Sequence, residues 1–469
     1  MIFNSIDFVL FLLVVFPLYL ALPRRGQNAM LLVASYFFYG YWDWRFLFLL
    51  AFSTVVDYAV ALGMERARSP RARTWLVGTS MVVNLGLLGF FKYFNFFIGS
   101  AEEMLAAMGL PVERLYLQIV LPVGISFYTF QTMSYTLDVY RRQMAARRDF
   151  LDFALFVSFF PQLVAGPIER AAHLLPQMER PRRVTWAGLQ EGAWLFTWGL
   201  FKKAVIADNL AMLVDRVFAP GADLNVFSVL LGLYAFAFQI YGDFSGYSDM
   251  ARGLCRAMGF DLMVNFNNPY FALNPSDFWR RWHISLSSWL RDYLYIPLGG
   301  NRLGPRRTYV NLLLTMLLGG LWHGAAWTFV LWGAFHGALL IGHRLLGGGD
   351  ARVPAALPSR LLRRIVMFHL ICVSWLFFRA RSMEQIGEML CGLARWPSAP
   401  APELANGFVF LLLLCAPLWV VQVVQERSGD LLAPIRWSFV PRTTLYLVIG
   451  LALLALGHTG GQAFIYFQF

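Results

Sequence analysis

Long apolar stretches recur along the whole chain and constrain its fold more than any other feature. They cover residues 6–23, 29–62, 75–98, 117–137, 188–218, 226–247, 308–345, 364–379, 406–424 and 442–458. A helix needs about 20 apolar residues to cross a bilayer, and only 14% of the residues are charged, too few for a water-soluble domain. We therefore predict an all-α, polytopic membrane protein with roughly ten to twelve embedded helices. No repeat or linker divides it, so we expect a single domain over residues 1–469.

The positive charge of the chain lies in short loops beside the apolar stretches. The formal net charge is +12, and arginine-rich segments cover residues 23–25, 65–73, 141–148 and 169–183. This distribution follows the positive-inside rule, so we expect cytoplasmic loops in contact with lipid and no nucleic-acid partner. The first apolar stretch lacks the basic start and cleavage site of a signal peptide, so it should remain as an anchor. The N-terminus should then lie outside.

A polar segment at residues 248–307 interrupts the apolar pattern and contains NPSDFWRRWHISLSSWLRDYLY. Asn274 as N-cap, Pro275 at the first position and Asp277 in the first turn predict a helix start. Helical spacing gives a polar face of Ser276, Arg280, His283, Ser287 and Arg291 and an apolar face of Phe278, Trp282, Leu286, Trp289 and Tyr293. We expect one amphipathic helix at the membrane surface. Its arginines suit lipid phosphates, but His283 alone on that face titrates near neutral pH.

A second histidine lies deep within an apolar stretch. A straight helix over residues 308–345 would exceed about 50 Å, so a break is required, and Gly319, Gly320 and Gly324 mark the expected place. His323 would then lie roughly 20 Å into the membrane. A buried ionisable residue at that depth indicates a functional site or, as the alternative, a structural hydrogen bond between helices. No pair of histidines has metal-binding spacing and no phosphate-binding glycine motif is present, so we predict neither a metal site nor nucleotide hydrolysis.

These two segments resemble a known family. Residues 266–300, FNNPYFALNPSDFWRRWHISLSSWLRDYLYIPLGG, and 317–337, LLGGLWHGAAWTFVLWGAFHG, are similar to the signature of the membrane-bound O-acyltransferase (MBOAT) family. The likeness is greatest to its bacterial branch that acetylates alginate, and residues 241–253 and the N-terminal stretch share it. It implies an MBOAT fold with a central tunnel and interfacial helices, a catalytic core at about residues 117–345, and a bacterial inner-membrane location.

The same resemblance implies the site residues. His323 corresponds to the family's catalytic histidine, and His283, forty residues earlier, to its upstream polar position. His323 would take the proton of an acceptor hydroxyl, while His283 or the indole N–H of Trp322 would donate hydrogen bonds. The expected substrate-binding residues are Trp322, Asp277, Arg280, Arg281, Ser287, Arg291 and Trp327. Arg302, Arg306 and Arg307 are expected to bind the phosphates of acetyl-coenzyme A, a donor substrate rather than a resident cofactor.

The expected activity is transfer of acetyl groups from a cytoplasmic thioester to hydroxyls of an exported, alginate-like polysaccharide. The resemblance also implies a periplasmic or extracellular acetyltransferase partner. One alternative is a D-alanyl transferase of the teichoic acid type, supplied by an acyl carrier protein. Another is a proton-coupled transporter or flippase, in which the histidines relay protons. Only one region combines a broken helix with a histidine, whereas transporters of that kind repeat such a feature.

Overall fold

The computed structural model describes residues 1–110, 116–348, 356–397, 402–458 and 464–465. Within these ranges the chain is helical and contains no β-strand, so the predicted all-α class is confirmed. The α-helices of the described ranges are, in order, α1 Ile6–Ala21, α2 Arg24–Asp43, α3 Leu47–Arg66, α4 Pro70–Leu88, α5 Phe94–Ala107, α6 Ile125–Tyr140, α7 Phe150–Ser158, α8 Phe160–Leu163, α9 Ala171–Glu179, α10 Trp186–Leu200, α11 Asp208–Val217, α12 Val226–Ala257, α13 Pro275–Arg281, α14 Ile284–Leu290, α15 Gly304–His323, α16 Trp327–Leu345, α17 Leu357–Arg379, α18 Met383–Gly392, α19 Pro402–Ser428 and α20 Phe439–Leu456.

Six helical ranges among the described residues are long and apolar enough to cross a membrane. They are Arg24–Arg66, Pro70–Ala107, Val226–Ala257, Leu357–Arg379, Pro402–Ser428 and Phe439–Leu456. The polytopic architecture is therefore confirmed. Fewer helices qualify than the roughly ten to twelve expected from apolar stretches alone, because several stretches fold into shorter, interrupted or more polar helices. The first of the six ranges contains a 3₁₀ turn at Trp44–Phe46.

The backbone forms two compact units, Met1–Leu189 with Leu254–Leu262, and Gln190–Gly253 with Met263–Phe469. In the first unit, α3 and α4 share a buried polar cluster around Asp57. Ser80 and Asn84 of α4 donate hydrogen bonds to the Asp57 carboxylate at 2.6–3.0 Å. A carboxyl group buried in a membrane-spanning helix needs such donors, because there is no water to solvate it.

In the second unit, a π-helical segment, Phe201–Ala207, joins α10 to α11 and contains two buried lysines. The ammonium group of Lys203 lies 2.8 Å from carboxylate oxygens of both Asp208 and Asp243. Lys202 pairs with Asp249 at 2.7 Å. Asp243 and Asp249 belong to α12, so the two buried charges of this segment are paired largely with a neighbouring helix, as buried charges require.

The helix hairpin α15–α16 carries His323 and depends on glycines for its close packing. A Cβ atom on Gly320 would lie 2.2 Å from the carbonyl oxygen of Phe329, and one on Gly333 would lie 2.3 Å from that of Met316. The predicted break is confirmed, but it lies at Gly324–Ala326, where both Gly324 and Ala326 are extended. Gly319 and Gly320 are not the break, because they lie within α15 and make room for the neighbouring helix.

The single amphipathic helix expected around His283 is wrong. The predicted start is confirmed, since Asn274 caps α13 and accepts a hydrogen bond from the Asp277 N–H at 2.8 Å. The helix then stops at Arg281, and His283 has a φ of 43°, in the left-handed region that non-glycine residues rarely adopt. The break turns His283 away from the exposed Arg280 and buries it. The aromatic face packs inside the protein as well, with Phe278 and Trp282 at most 1% exposed.

Candidate active site

His323 is the last residue of α15 and is only 2% exposed. Aromatic rings surround its imidazole within the second unit. The ring centroid lies 4.9 Å from that of Trp332, 5.1 Å from that of Trp322 and 5.4 Å from that of Phe378. Because α15 ends at this residue and the chain continues in an extended conformation at Gly324, the imidazole lies at the tip of the α15–α16 hairpin.

His283 lies in the break between α13 and α14 and is fully buried. Its ring makes an edge contact with Phe244 of α12, with 4.7 Å between centroids. Its Nδ1 lies 3.2 Å from the side-chain oxygen of Asn265. Burial lowers the pKa of His283 to about 3, so the imidazole is neutral at physiological pH.

The fold brings these two histidines together although forty residues separate them in the chain. Their ring centroids are 6.3 Å apart, and the planes are inclined by 60°. Trp322 completes the group, with its ring 5.9 Å from that of His283. Two neutral imidazoles at this distance are suited to proton transfer at a hydroxyl group that contacts both of them.

A cavity of about 780 Å³ adjoins the tip of the hairpin. Its lining includes Gly324, the residue after His323, and Thr328 in the first turn of α16. Arg379 at the end of α17 also lines it and pairs with Asp215 at 2.8 Å. The cavity therefore has polar and charged walls next to the buried imidazole. A continuous tunnel past both histidines stays a prediction.

Three of the residues predicted to bind the substrate make hydrogen bonds or ion pairs within the protein, and their predicted contact with the substrate stays a prediction. Asp277 accepts hydrogen bonds from the Leu273 N–H at 3.0 Å and the Arg281 guanidinium at 2.9 Å. Arg281 also pairs with Glu426 at 2.8 Å. Ser287 donates to the carbonyl groups of Trp282 and His283 at 3.0 and 3.1 Å. These contacts fix the break that holds His283.

The remaining candidates lie away from the two imidazoles or on the surface. Arg280 and Arg291 are exposed, and Arg291 pairs with its neighbour Asp292. Trp327 begins α16 and is 55% exposed. Arg302, Arg306 and Arg307 are exposed near the start of α15, about 25 Å along that helix from His323. The structure thus places these three arginines at the opposite end of α15 from the imidazole.

The residues that sequence reasoning missed are those that support the histidines. Asn265 contacts His283 from a non-helical segment eighteen residues upstream, where no helical spacing connects the two. Phe244, Trp332 and Phe378 come from three further helices. A search for polar residues within the apolar and aromatic pattern could have drawn attention to Asn265, but its partner could not be read from the sequence.

The fold and this pair of histidines define the class of protein: a polytopic helical membrane protein with two buried imidazoles whose ring centroids lie 6.3 Å apart. The MBOAT family model, described as the membrane-bound O-acyltransferase family, matches residues 38–377. The chain belongs to this family and is an O-acyltransferase, an integral membrane enzyme.

Curated relatives give the resemblance more detail. A probable alginate O-acetylase of Azotobacter vinelandii is 46% identical over 398 residues, covering 84% of this chain and 78% of the relative. A probable alginate O-acetylase of Pseudomonas aeruginosa is 46% identical over 392 residues, covering 83% and 74%. A peptidoglycan O-acetyltransferase of Helicobacter pylori is 34% identical over 522 residues, covering 100% and 98%.

Proposed function

We propose that this protein moves acetyl groups from a cytoplasmic thioester, acetyl-coenzyme A, to hydroxyl groups of an exported acidic polysaccharide. The main support for acyl transfer is the proximity of the buried imidazoles of His283 and His323, whose ring centroids lie 6.3 Å apart. The similarity to alginate O-acetylases supports acetyl as the group and a uronate polymer as the acceptor. The bacterial inner membrane and an outward N-terminus belong to the same proposal.

In the proposed reaction, His323 takes the proton of the acceptor hydroxyl as its oxygen attacks the thioester carbonyl. The new C–O bond forms, the tetrahedral intermediate collapses, and the C–S bond breaks. The imidazolium of His323 then returns the proton to the leaving thiolate, so no charge accumulates. The indole N–H of Trp322, beside His323, is suited to donate a hydrogen bond to the developing oxyanion. General-base assistance of this kind contributes about 10²- to 10⁴-fold to a rate.

The two substrates are proposed to approach from opposite ends of α15. The exposed Arg302, Arg306 and Arg307 near its start suit the phosphates of coenzyme A at the cytoplasmic surface. The cavity beside Gly324 suits the acceptor, since Arg379 and Arg381 in its lining favour carboxylated sugars. A partner protein outside the membrane would complete transfer to the polymer if the acetyl group leaves this chain on a carrier.

The test uses cells that lack the chromosomal copy and express variants of this chain. The measurement is the acetyl content of the envelope polysaccharide by mass spectrometry, with the amount of membrane-inserted protein quantified in parallel. His323→Ala is expected to lower acetylation at least about 100-fold at normal protein levels. His369→Ala is the matched control, because His369 is exposed and bonds to Tyr234 away from the site. Near-normal acetylation in His323→Ala would contradict the proposal.

The donor is tested separately with purified protein in lipid nanodiscs. Histidine-dependent release of coenzyme A thiol in the presence of uronate oligosaccharides supports acetyl-coenzyme A as the donor. Activity only with an acyl carrier protein thioester would contradict that assignment and favour the D-alanyl type of reaction. Substrate transport with no thioester consumption would contradict acyl transfer by this chain as a whole.

A further inference from the structure

Asn265 contacts the break between α13 and α14, where His283 lies. It lies in the non-helical segment between α12 and the 3₁₀ turn Pro269–Phe271 and is only 1% exposed. Its backbone carbonyl accepts the N–H of Ile284 at 2.9 Å, and the N–H of Asn267 donates to the carbonyl of Arg281 at 2.9 Å. The segment 265–267 therefore pairs with the chain on both sides of His283 and fixes its backbone.

The side-chain amide of Asn265 can have only one orientation in this setting. Its Oδ1 lies 3.2 Å from the backbone nitrogen of Ser285, and a backbone N–H can only donate. The atom facing Ser285 must therefore be the oxygen, not the nitrogen. Consistent with this, the Ser285 hydroxyl donates to the same oxygen at 2.9 Å, and Nδ2 donates to the hydroxyl of Ser248 at 3.2 Å.

This orientation decides which nitrogen of His283 carries the proton. The same Asn265 oxygen lies 3.2 Å from Nδ1 of His283, and a carbonyl oxygen can only accept. The Ser285 hydroxyl also lies 3.4 Å from Nδ1, but its single hydrogen is directed to the nearer Asn265 oxygen at 2.9 Å. We therefore assign the N–H of the imidazole to Nδ1. A neutral imidazole has one N–H, so its other nitrogen, Nε2, holds a lone pair and acts as an acceptor.

We propose that Asn265 is a positioning residue that holds His283 as the Nδ1–H tautomer, so that Nε2 accepts a hydrogen bond from the acceptor hydroxyl beside His323. The inference rests on the proposed function for its substrate. It gives His283 the task of orienting the hydroxyl for proton transfer to His323, which lies 6.3 Å away between ring centroids. It differs from the hydrogen-bond donor role that the family pattern alone leaves open for His283.

The left-handed backbone of His283 supports this role. A φ of 43° is unfavourable for a histidine, and such conformations persist where surrounding bonds enforce them. The bonds from Ile284 and Ser285 to Asn265 supply that constraint from the residues directly after His283. Asn265 thus controls both the direction of the ring and its tautomer.

The direct test is nitrogen NMR of protein labelled with ¹⁵N-histidine in lipid bilayers. Protonated and unprotonated nitrogens of neutral imidazole have well-separated shifts, and the signals of His283 are assigned from their absence in His283→Gln. The expected wild-type spectrum shows His283 protonated at Nδ1. In Asn265→Ala, the second tautomer should appear. A wild-type His283 protonated at Nε2, or a tautomer unchanged in Asn265→Ala, would overturn the inference.

Kinetics supply a second readout that a merely structural residue would not change. Asn265→Ala is expected to lower kcat on the order of 10- to 100-fold, as loss of a supporting hydrogen bond to a functional histidine does elsewhere, with KM for the thioester unchanged. Asn265→Asp keeps the accepting oxygen and should restore most of kcat, while its carboxylate moves the acidic limb of the pH profile upward. Equal loss in both variants would contradict the role.

Asn209→Ala is the matched control for loss of a buried asparagine. The side chain of Asn209 donates hydrogen bonds to the backbone carbonyls of Val205 and Leu456 and lies 3.5 Å from Nδ1 of His458, and none of these partners is His283 or His323. Its replacement should lower stability without changing kcat per folded molecule or the His283 signals. If no variant and no wild-type protein transfers acetyl groups, the proposed function fails, yet the tautomer measured by NMR still tests Asn265 independently.

Discussion

Gly320 lies where α15 packs closely against α16, so adding a single methyl group there should lower both stability and activity. In Gly320→Ala, the new methyl group would lie 2.2 Å from the carbonyl oxygen of Phe329 and 3.1 Å from the Cα of Gly333. Carbon and carbonyl oxygen come into contact at about 3.3 Å, so the helices must separate locally by roughly 1 Å. Neither contact atom belongs to a flexible side chain that can move aside.

The magnitude follows from two opposing effects. Overpacking of this kind costs about 1–3 kcal/mol, whereas Gly→Ala inside a helix gains up to about 1 kcal/mol of intrinsic helix propensity. Because the atoms that the methyl group would meet are backbone atoms, the upper part of that range, about 2–3 kcal/mol, applies, and the net loss in the free energy of unfolding should be about 1–2 kcal/mol. Because His323 lies three residues beyond Gly320, a displacement of about 1 Å should also lower acetyl transfer, on the order of 100-fold.

Gly319→Ala is the matched control, one residue earlier in the same helix. Its methyl group would meet only Cδ1 of Leu290 at 3.1 Å, and that side-chain end can move by a few tenths of an ångström. The gain in helix propensity is the same, so Gly319→Ala should be as stable as the wild type or slightly more stable, with normal activity. The comparison separates the steric effect from the effect of adding a methyl group to a helix.

The assay is thermal unfolding in detergent, followed by a thiol-reactive fluorescent dye. Cys255, Cys372 and Cys415 are buried and free, so they react only as the protein unfolds. The exposed Cys391 is replaced by serine in every variant to remove the starting signal. An unfolding midpoint of Gly320→Ala equal to or above that of Gly319→Ala would refute the packing described for α15 and α16.

Two further predictions concern ion pairs or hydrogen bonds in the structure, and a third concerns the exposed Arg280. Glu426→Gln should lower the free energy of unfolding by about 1–3 kcal/mol, because the Glu426 carboxylate pairs with two half-buried arginines. Glu403→Gln is the control, because Glu403 lies on the same helix but its ion pair is exposed. It should change the free energy of unfolding, measured by thermal unfolding, by less than about 0.5 kcal/mol. A hydrogen bond to Glu169 raises the pKa of His173, so this contact stabilises the fold below about pH 6.5 and is lost as pH rises through the raised pKa. Since His173 is partly exposed, its contribution to stability should stay under about 1 kcal/mol. His173→Gln should flatten the dependence of the unfolding midpoint on pH between 6 and 8. An unchanged slope in this variant would contradict the stabilising role of the His173–Glu169 contact. Arg280→Glu should raise KM for the thioester more than KM for the acceptor, and equal increases would argue against a donor-binding role for this exposed arginine.

The sequence predicted those features of the fold that depend on local pattern. Apolar length gives the polytopic helical class, and the cap at Asn274 follows from side-chain chemistry within one helical turn. The need for a break within residues 308–345 follows from helix length against bilayer thickness, but its position at Gly324–Ala326 does not. The two histidines could be paired from the family resemblance, while spacing along the chain could not bring them together.

The features that escaped prediction depend on contacts between distant segments. Helical spacing treats residues 274–295 as one helix, but the pairing of the segment 265–267 with the residues around His283 opens it. Ser287 then caps the opened turn through its hydroxyl. For the same reason, the prediction that His283 lies on the polar face of one helix was wrong. That prediction assumed helical periodicity, and the left-handed backbone of His283 interrupts it.

The short connection between α15 and α16 also has a consequence for how the enzyme is made. Only Gly324–Ala326 join the two helices, so the hairpin closes with little loss of chain entropy and its contacts are local. We expect it to assemble early during membrane insertion, before distant segments are in place. Substitutions that disturb the packing of α15 against α16 should therefore reduce the yield of inserted protein. Cellular quality control would remove the misassembled protein before a loss of activity could be measured.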